Sequence, residues 1–146
     1  MSAKKRRPDR RDQESGSTAI EFVFLTPVLM IILLALVQTA MYLFAQHVAA
    51  TAAQAAARAG REDQPADPGG WTTASRNAAN SWIDDLIGDA ADNVVITPVL
   101  VQPEPPSPCV PPNITVTVTF SMASLLGSFG AHGQSQGPVE NFYPDC

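Results

Sequence analysis

An uncharged apolar run from Phe22 to Ala45 restricts what this chain can fold into. The run is 24 residues long. A helix rising about 1.5 Å per residue would extend it over about 36 Å, which exceeds the roughly 30 Å hydrocarbon core of a bilayer. A helix buried in a soluble domain is the alternative, but the rest of the chain is too short to enclose such a segment. The run therefore predicts a single transmembrane helix, with Pro27 in its first turns as the expected position of a kink.

The distribution of charge predicts the orientation of this helix. Six of the nine Lys and Arg residues lie within the first eleven positions, whereas residues 46–146 contain three basic and ten acidic side chains. Because basic residues favour the cytoplasmic side of a membrane span, we expect a cytoplasmic N-terminus and an extracytoplasmic remainder. A basic run can also bind nucleic acid. Beside a membrane span, topology and anionic headgroups explain it better, so no nucleic-acid partner is expected.

Three processing outcomes are compatible with the N-terminal region. Signal peptidase could cleave at the small-x-small site that ends at Ala52 and release a secreted binding domain, or the helix could stay as an uncleaved anchor. Cleavage after Gly16 is the third outcome. It alone provides a partner for Glu21, a carboxylate that is costly when unpaired at the entrance to hydrocarbon. That partner is the new α-amino group of Ser17, from the same chain or from a neighbour.

Three short segments in the first third of the chain form a pattern. They are residues 16–22 (GSTAIEF), residues 25–29 (LTPVL) and residues 55–61 (AAARAGR). The pattern resembles the TadE-like family of pilus-assembly pseudopilins. This resemblance implies a bacterial protein that a prepilin peptidase cuts after Gly16. It also implies that Glu21 pairs with the N-terminal amine of Ser17 from an adjacent subunit during assembly.

The resemblance also implies a location and a set of partners. The location is the cytoplasmic (inner) membrane, in a single pass. The partners are the membrane, the prepilin peptidase, other pilin-like subunits and the assembly platform of an Flp-type pilus. Family members commonly carry an acidic residue late in the span, whereas this chain has Gln38 there. The chain is also far longer than a major Flp pilin, which favours a minor or accessory subunit; a generic anchored interaction protein is a further alternative.

Beyond the span, the sequence predicts a helical stalk followed by a small α+β extracytoplasmic domain. Eight of the sixteen residues from 46 to 61 are alanine, which favours a continued helix. This helix either packs between subunits or has no partner. A second helix is predicted over residues 71–92, with Trp82 on its apolar stripe. An antiparallel strand pair is predicted over residues 93–101 and 113–122, with Pro98 marking the first as an edge strand.

These elements give a predicted domain organisation of four parts. They are a basic cytoplasmic leader (residues 1–16), the transmembrane helix and stalk (17–61), the α+β domain (62–130) and a flexible C-terminal tail (131–146). The tail prediction rests on the high content of Gly, Ser, Gln and Pro. A short apolar run at residues 123–129 either completes the core or touches the membrane surface.

The two cysteines, Cys109 and Cys146, both fall in the predicted extracytoplasmic part. An oxidising compartment permits a disulfide between them, which in the chain-entropy model contributes on the order of 4 kcal/mol. Such a bridge would matter because a domain of this size has a marginal core. Free or intermolecular thiols are the alternative.

No catalytic, metal or cofactor site is predicted. His47 and His132 are far apart and lack ligand spacing with either cysteine, and the sequence has no phosphate-binding loop or nucleophile motif. Asp84, Asp85 and Asp89 are expected on a solvated helix face. We therefore expect a protein that is not an enzyme, without cofactors and without a small-molecule substrate.

Overall fold

A computed structural model of the protein describes residues 11–64, 67, 69–103 and 110–139, with side chains from Ile20 onward. The elements in chain order are helix α1 (Arg11–Asp63), helix α2 (Trp71–Leu86), a 3-10 turn (Gly88–Ala90), and strands β1 (Ala91–Val101), β2 (Asn113–Ser124) and β3 (Gly127–Pro138). The chain divides into two compact units, Met1–Thr39 and Ala40–Cys146. A long apolar helix followed by a small α+β unit confirms the predicted fold class.

In the first unit, α1 exposes large apolar side chains around its surface. Its threonine hydroxyls donate to its own carbonyls, Thr26 Oγ1 to Phe22 O at 2.7 Å and Thr39 Oγ1 to Ala35 O at 2.8 Å. The helix continues through Pro27. In hydrocarbon, polar groups need hydrogen-bond partners within the protein, and both threonine hydroxyls have one. By length and composition, this helix can cross a membrane.

In the second unit, the Ala-rich part of α1 supplies one side of the hydrophobic core. Seven of its side chains are at most 1% exposed and share one helix face: Ala45, Val48, Ala49, Ala52, Ala53, Ala56 and Ala57. They belong to one core cluster with side chains of α2 and the sheet. Neither predicted alternative for the stalk included this packing within the chain. The second unit accordingly begins at Ala40, well before the predicted stalk–domain border at residues 61 and 62.

The strands form an antiparallel sheet in the order β1-β2-β3. The central strand β2 alternates as predicted, and five of its apolar side chains are buried: Ile114, Val116, Val118, Phe120 and Met122. Strand β1 lies at an edge of the sheet, as Pro98 predicts. Proline has no backbone N–H to donate to a neighbouring strand, so it is tolerated best at an edge. A third strand thus extends the predicted pair.

Strand β3 shows that the predicted flexible tail is wrong over residues 131–138. The strand pairs with β2 from Gly127 opposite Ser124 to Pro138 opposite Asn113. The prediction failed because the buried positions of β3 carry Ala131, Gly133 and Gly137, which give no apolar alternation. Residues 140–146 lie outside the described residues.

Helix α2 is shorter than predicted and turns a different face to the core. It ends at Leu86 instead of residue 92, because Gly88 adopts a left-handed conformation with φ of 59° that stops the helix. Its buried side chains are Trp71, Ser75, Ala79 and Ile83. Trp82, which the sequence places on the apolar stripe of this helix, is instead 42% exposed. Two stripes of similar side-chain size repeat at spacings of four in α2, so the sequence pattern does not decide which of them faces the core.

Candidate functional site

The predicted processing segment lies in the first turns of α1. The helix begins at Arg11 and contains Gly16, Ser17 and Glu21. A rise of about 1.5 Å per residue places the backbone nitrogen of Ser17 about 6 Å along the helix axis from that of Glu21. Residues four apart also share a helix face. An amine at Ser17 and the Glu21 carboxylate would therefore lie on the same side of α1.

The Glu21 side chain is exposed in apolar surroundings. Together with Ile20, Phe24 and Leu25 it lines a shallow depression on the helix surface. Within the described part of the chain, the ion pair between Arg58 and Glu62 is the one salt bridge present, and Glu21 has none. A carboxylate at the edge of hydrocarbon gains strongly from a cationic partner. Glu21 is thus open to a partner such as a free amine.

Gln38 is a second polar group in the apolar part of α1. Its Nε2 atom is enclosed and makes no hydrogen bond to any described residue. The adjacent Thr39, in contrast, donates to its own helix. An amide without a partner in hydrocarbon favours a hydrogen bond to another helix. In place of the acidic residue expected at this position, Gln38 offers a hydrogen bond without charge.

A groove of about 630 Å³ lies between α1 and α2 in the second unit. Ala55 and Ala59 of α1 and Trp82 of α2 supply its apolar surface, and the Arg58–Glu62 ion pair lies beside them with 3.0 Å between Nε and Oε1. Aromatic and Arg side chains are enriched at protein interfaces relative to the rest of the surface. Sequence reasoning placed Trp82 in the core, whereas the structure places it on the wall of this groove. No local signal in the sequence distinguishes the two faces of α2.

The remaining predicted residues lie apart from these features. Pro27 lies within α1, and the structure does not test whether it kinks the helix. His47 and His132 are both exposed. Among the described residues, no three His, Cys, Asp or Glu side chains come together to hold a metal ion. Cys109 and Cys146 lie outside the described residues, so the disulfide stays a prediction.

Comparison with known proteins identifies the N-terminal region. Residues 16–58 match the family model described as TadE-like protein. No curated protein and no solved structure gave a significant match. The matched segment starts at the glycine of the predicted processing site and includes the whole apolar run, Gln38 and most of the Ala-rich face. Residues 16–58 are therefore similar to the TadE-like family, the family that the N-terminal sequence predicts.

Proposed function

We propose that this chain is a bitopic pseudopilin of the TadE type, a minor or accessory subunit in the assembly of an Flp-type pilus. The observation that carries the proposal is the family match, because it begins at Gly16 and extends through the apolar run to Arg58. The TadE-like family is associated with pilus assembly and is not known for enzymes. The long apolar helix agrees with a membrane subunit.

In this proposal, a prepilin peptidase removes the basic leader on the cytoplasmic side and leaves α1 in the inner membrane. The six basic residues before Gly16 favour the cytoplasmic side, and the acidic second unit would then face outward. Cleavage after Gly16 would make Ser17 the new N-terminus. The helix after it would begin with an ammonium group one turn from Glu21.

Glu21 would then guide the entry of the subunit into an assembly. Its carboxylate has no salt-bridge partner among the described residues and lies against apolar side chains. The Ser17 amine of an adjacent subunit would neutralise it and remove the cost of a lone charge at the membrane. This pairing fixes the position of one subunit relative to the next along the helix axis. A purely apolar contact would allow the two helices to slide.

Further contacts with pilin-like subunits would come from Gln38 inside the membrane and from the Ala55–Ala59 groove above it. The Ala-rich face from Ala45 to Ala57 cannot serve, because it is already buried in the core of the chain's own second unit. Lateral packing outside the membrane is therefore restricted to the other faces of α1. Trp82 lies on the wall of the groove that opens there.

A secreted domain released at Ala52 is the weaker alternative. Cleavage there would cut α1 in the middle of its buried face and remove four side chains from the core: Ala45, Val48, Ala49 and Ala52. The released domain would begin with a truncated helix and a sheet face without its cover. Because a small domain has little stability to spare, such a product is expected to unfold.

The first test is the N-terminal sequence of the mature protein from the membrane fraction of its own host. The proposal predicts a start at Ser17. A start near Ala53 in soluble material would instead support the secreted domain. An intact leader in the membrane would leave an anchored protein without prepilin-type processing.

The second test separates assembly from processing. Glu21→Ala should abolish surface filaments while the protein remains in the membrane at its normal level. Asp84→Ala is the matched control, since it removes an exposed carboxylate of α2 that does not line the groove. Normal piliation in the Glu21→Ala strain would contradict the pairing. Normal piliation after complete deletion would contradict the pilus function itself.

A further inference from the structure

The turn between β2 and β3 presents two leucines to solvent. Leu125 and Leu126 are 72% and 83% exposed, the highest values among the large apolar side chains described in the second unit. The turn is tight, because Ser124 still pairs with Gly127. Of the two outcomes that the sequence predicts for residues 123–129, completion of the core is thereby wrong for these leucines. Such an exposed pair at a hairpin tip is costly in water.

Contacts between α1 and β3 define the direction in which this tip points. The Tyr42 and Phe129 rings meet edge to face at 5.8 Å between centroids. One turn later, Gln46 Nε2 donates to the Gly130 carbonyl at 3.3 Å, and further along Ala49 touches Gly133. Residue numbers rise together in both elements, so α1 and β3 run in the same direction.

Because the tip precedes β3, it extends past Tyr42 toward the end of the second unit where α1 continues into its apolar run. Phe129 lies three residues after Leu126, a distance of about 10 Å along a strand. Tyrosine favours the boundary between water and hydrocarbon, and Tyr42 lies near the end of the apolar run. Leu126 would therefore lie about 10 Å beyond that boundary, on the hydrocarbon side.

The charge and shape of the hairpin fit this position. Residues 105–139 contain no Asp, Glu, Lys or Arg, although the second unit as a whole is acidic. Strand β1 stops pairing at Ala91 opposite Met122, so the tip protrudes alone beyond the sheet. Two acidic residues lie near this end of the sheet, Asp89 in the turn before β1 and Asp92, which pairs with Ser121 four residues before Leu125.

We propose that the β2–β3 tip, formed by Leu125 and Leu126, inserts into the outer leaflet of the bilayer that α1 spans. There the two leucines contact phospholipid acyl chains and glycerol backbones. The insertion gives the second unit a second attachment to the membrane besides α1 and fixes its rotation about the helix axis. This inference rests on the proposed membrane-spanning role of α1.

The test is lipid photo-crosslinking of the full chain in vesicles of phosphatidylethanolamine and phosphatidylglycerol. Benzoylphenylalanine is placed at Leu126, at Leu33 as a probe of the span, and at Val101 as the matched control. Val101 is an exposed apolar residue at the opposite end of the sheet, where it pairs with Asn113. We expect lipid adducts at Leu33 and Leu126, and roughly tenfold fewer at Val101, since burying two leucines is worth more than a factor of ten.

The other outcomes overturn the inference in distinguishable ways. Adducts at Leu33 but not above the Val101 level at Leu126 would leave α1 as a membrane helix and refute insertion of the tip. Protein cross-links at Leu126 without lipid adducts would show that a second copy or another subunit covers it. A failure of Leu33 to label lipid would refute the membrane span, and the insertion with it.

Discussion

At the scale of single residues, Gly60 of α1 allows a close contact with α2. A Cβ atom there would collide with the Ser75 hydroxyl of α2, while its next neighbours, Trp71 and Ile114, would be at 3.4 and 3.6 Å. The Ser75 hydroxyl is itself fully buried and has no hydrogen-bond partner among the described residues. A buried hydroxyl in this state lowers stability.

Gly60 and Ser75 together give a prediction in which the second substitution offsets the loss of melting temperature that the first one causes. Gly60→Ala alone should lower the melting temperature, because overpacking costs about 1–3 kcal/mol and exceeds the gain in helix propensity. Ser75→Ala should be neutral or stabilising, and the double variant should be at least as stable as the original protein. Thermal unfolding in detergent, followed by tryptophan fluorescence, measures all four forms. A double variant as unstable as Gly60→Ala would show that Ser75 is not the obstacle.

At this scale, sequence reasoning proposes residues through their spacing but does not reach residues that are defined by contact. Gly16 and Glu21 follow from their distances to the apolar run, and the family match includes both positions. Gly60 and Ser75 are far apart in the sequence and carry no pattern. Their importance depends on the distance between two helices, which no local signal encodes.

At the scale of elements, the backbones of α1 and β3 approach each other closely. A Cβ atom at Gly133 would collide with the Ala49 carbonyl and the Ala50 amide of α1, which cannot rotate away. Gln46 adds a pair of hydrogen bonds, donating to Gly130 and accepting from His132. The alanine face of α1 and the glycines of β3 are therefore two halves of one close contact.

This contact predicts different effects for two glycines in the same strand. Gly133→Ala should destabilise the protein by about 1–3 kcal/mol, because α1 would have to move as a whole. Gly130→Ala is the matched control, since the nearest atom to its added Cβ would be 4.0 Å away. Chemical denaturation of both variants measures the difference. Equal stability would contradict the close packing of α1 on β3.

The elements differ in how well their sequences predict them. Strand β2 has five apolar residues alternating with Thr and Ser, and each of its predicted inward positions is buried. Strand β3 replaces that pattern with small residues, because α1 leaves no room for larger ones. In α2, two stripes of equal period compete, and the position of α1 decides between them.

At the scale of the whole molecule, α1 belongs to both compact units. Its first part has the composition of a membrane span, and its last part is a core helix of the folded domain. The family match ends at Arg58, inside that core helix. Part of the segment that matches the TadE-like family therefore belongs to the hydrophobic core of the second unit.

Two fragments test this division. A fragment from Ala40 to the C-terminus contains the complete second unit and should unfold cooperatively in detergent. A fragment from Ala53 lacks the buried side chains of Ala45, Val48, Ala49 and Ala52, and it should show no cooperative transition. Circular dichroism during heating distinguishes them. Cooperative unfolding of the shorter fragment would revive the secreted-domain alternative.

The Gln46 hydrogen bonds also determine when the domain can fold during synthesis. They join residues 84 and 86 positions apart, so α1 leaves the ribosome long before its partner strand. Non-local pairing of this kind delays folding until nearly the whole chain is available. A chain that stops before residue 127 would expose a row of alanine methyl groups without a partner. Cellular proteases could then recognise an incomplete subunit before it reaches an assembly site.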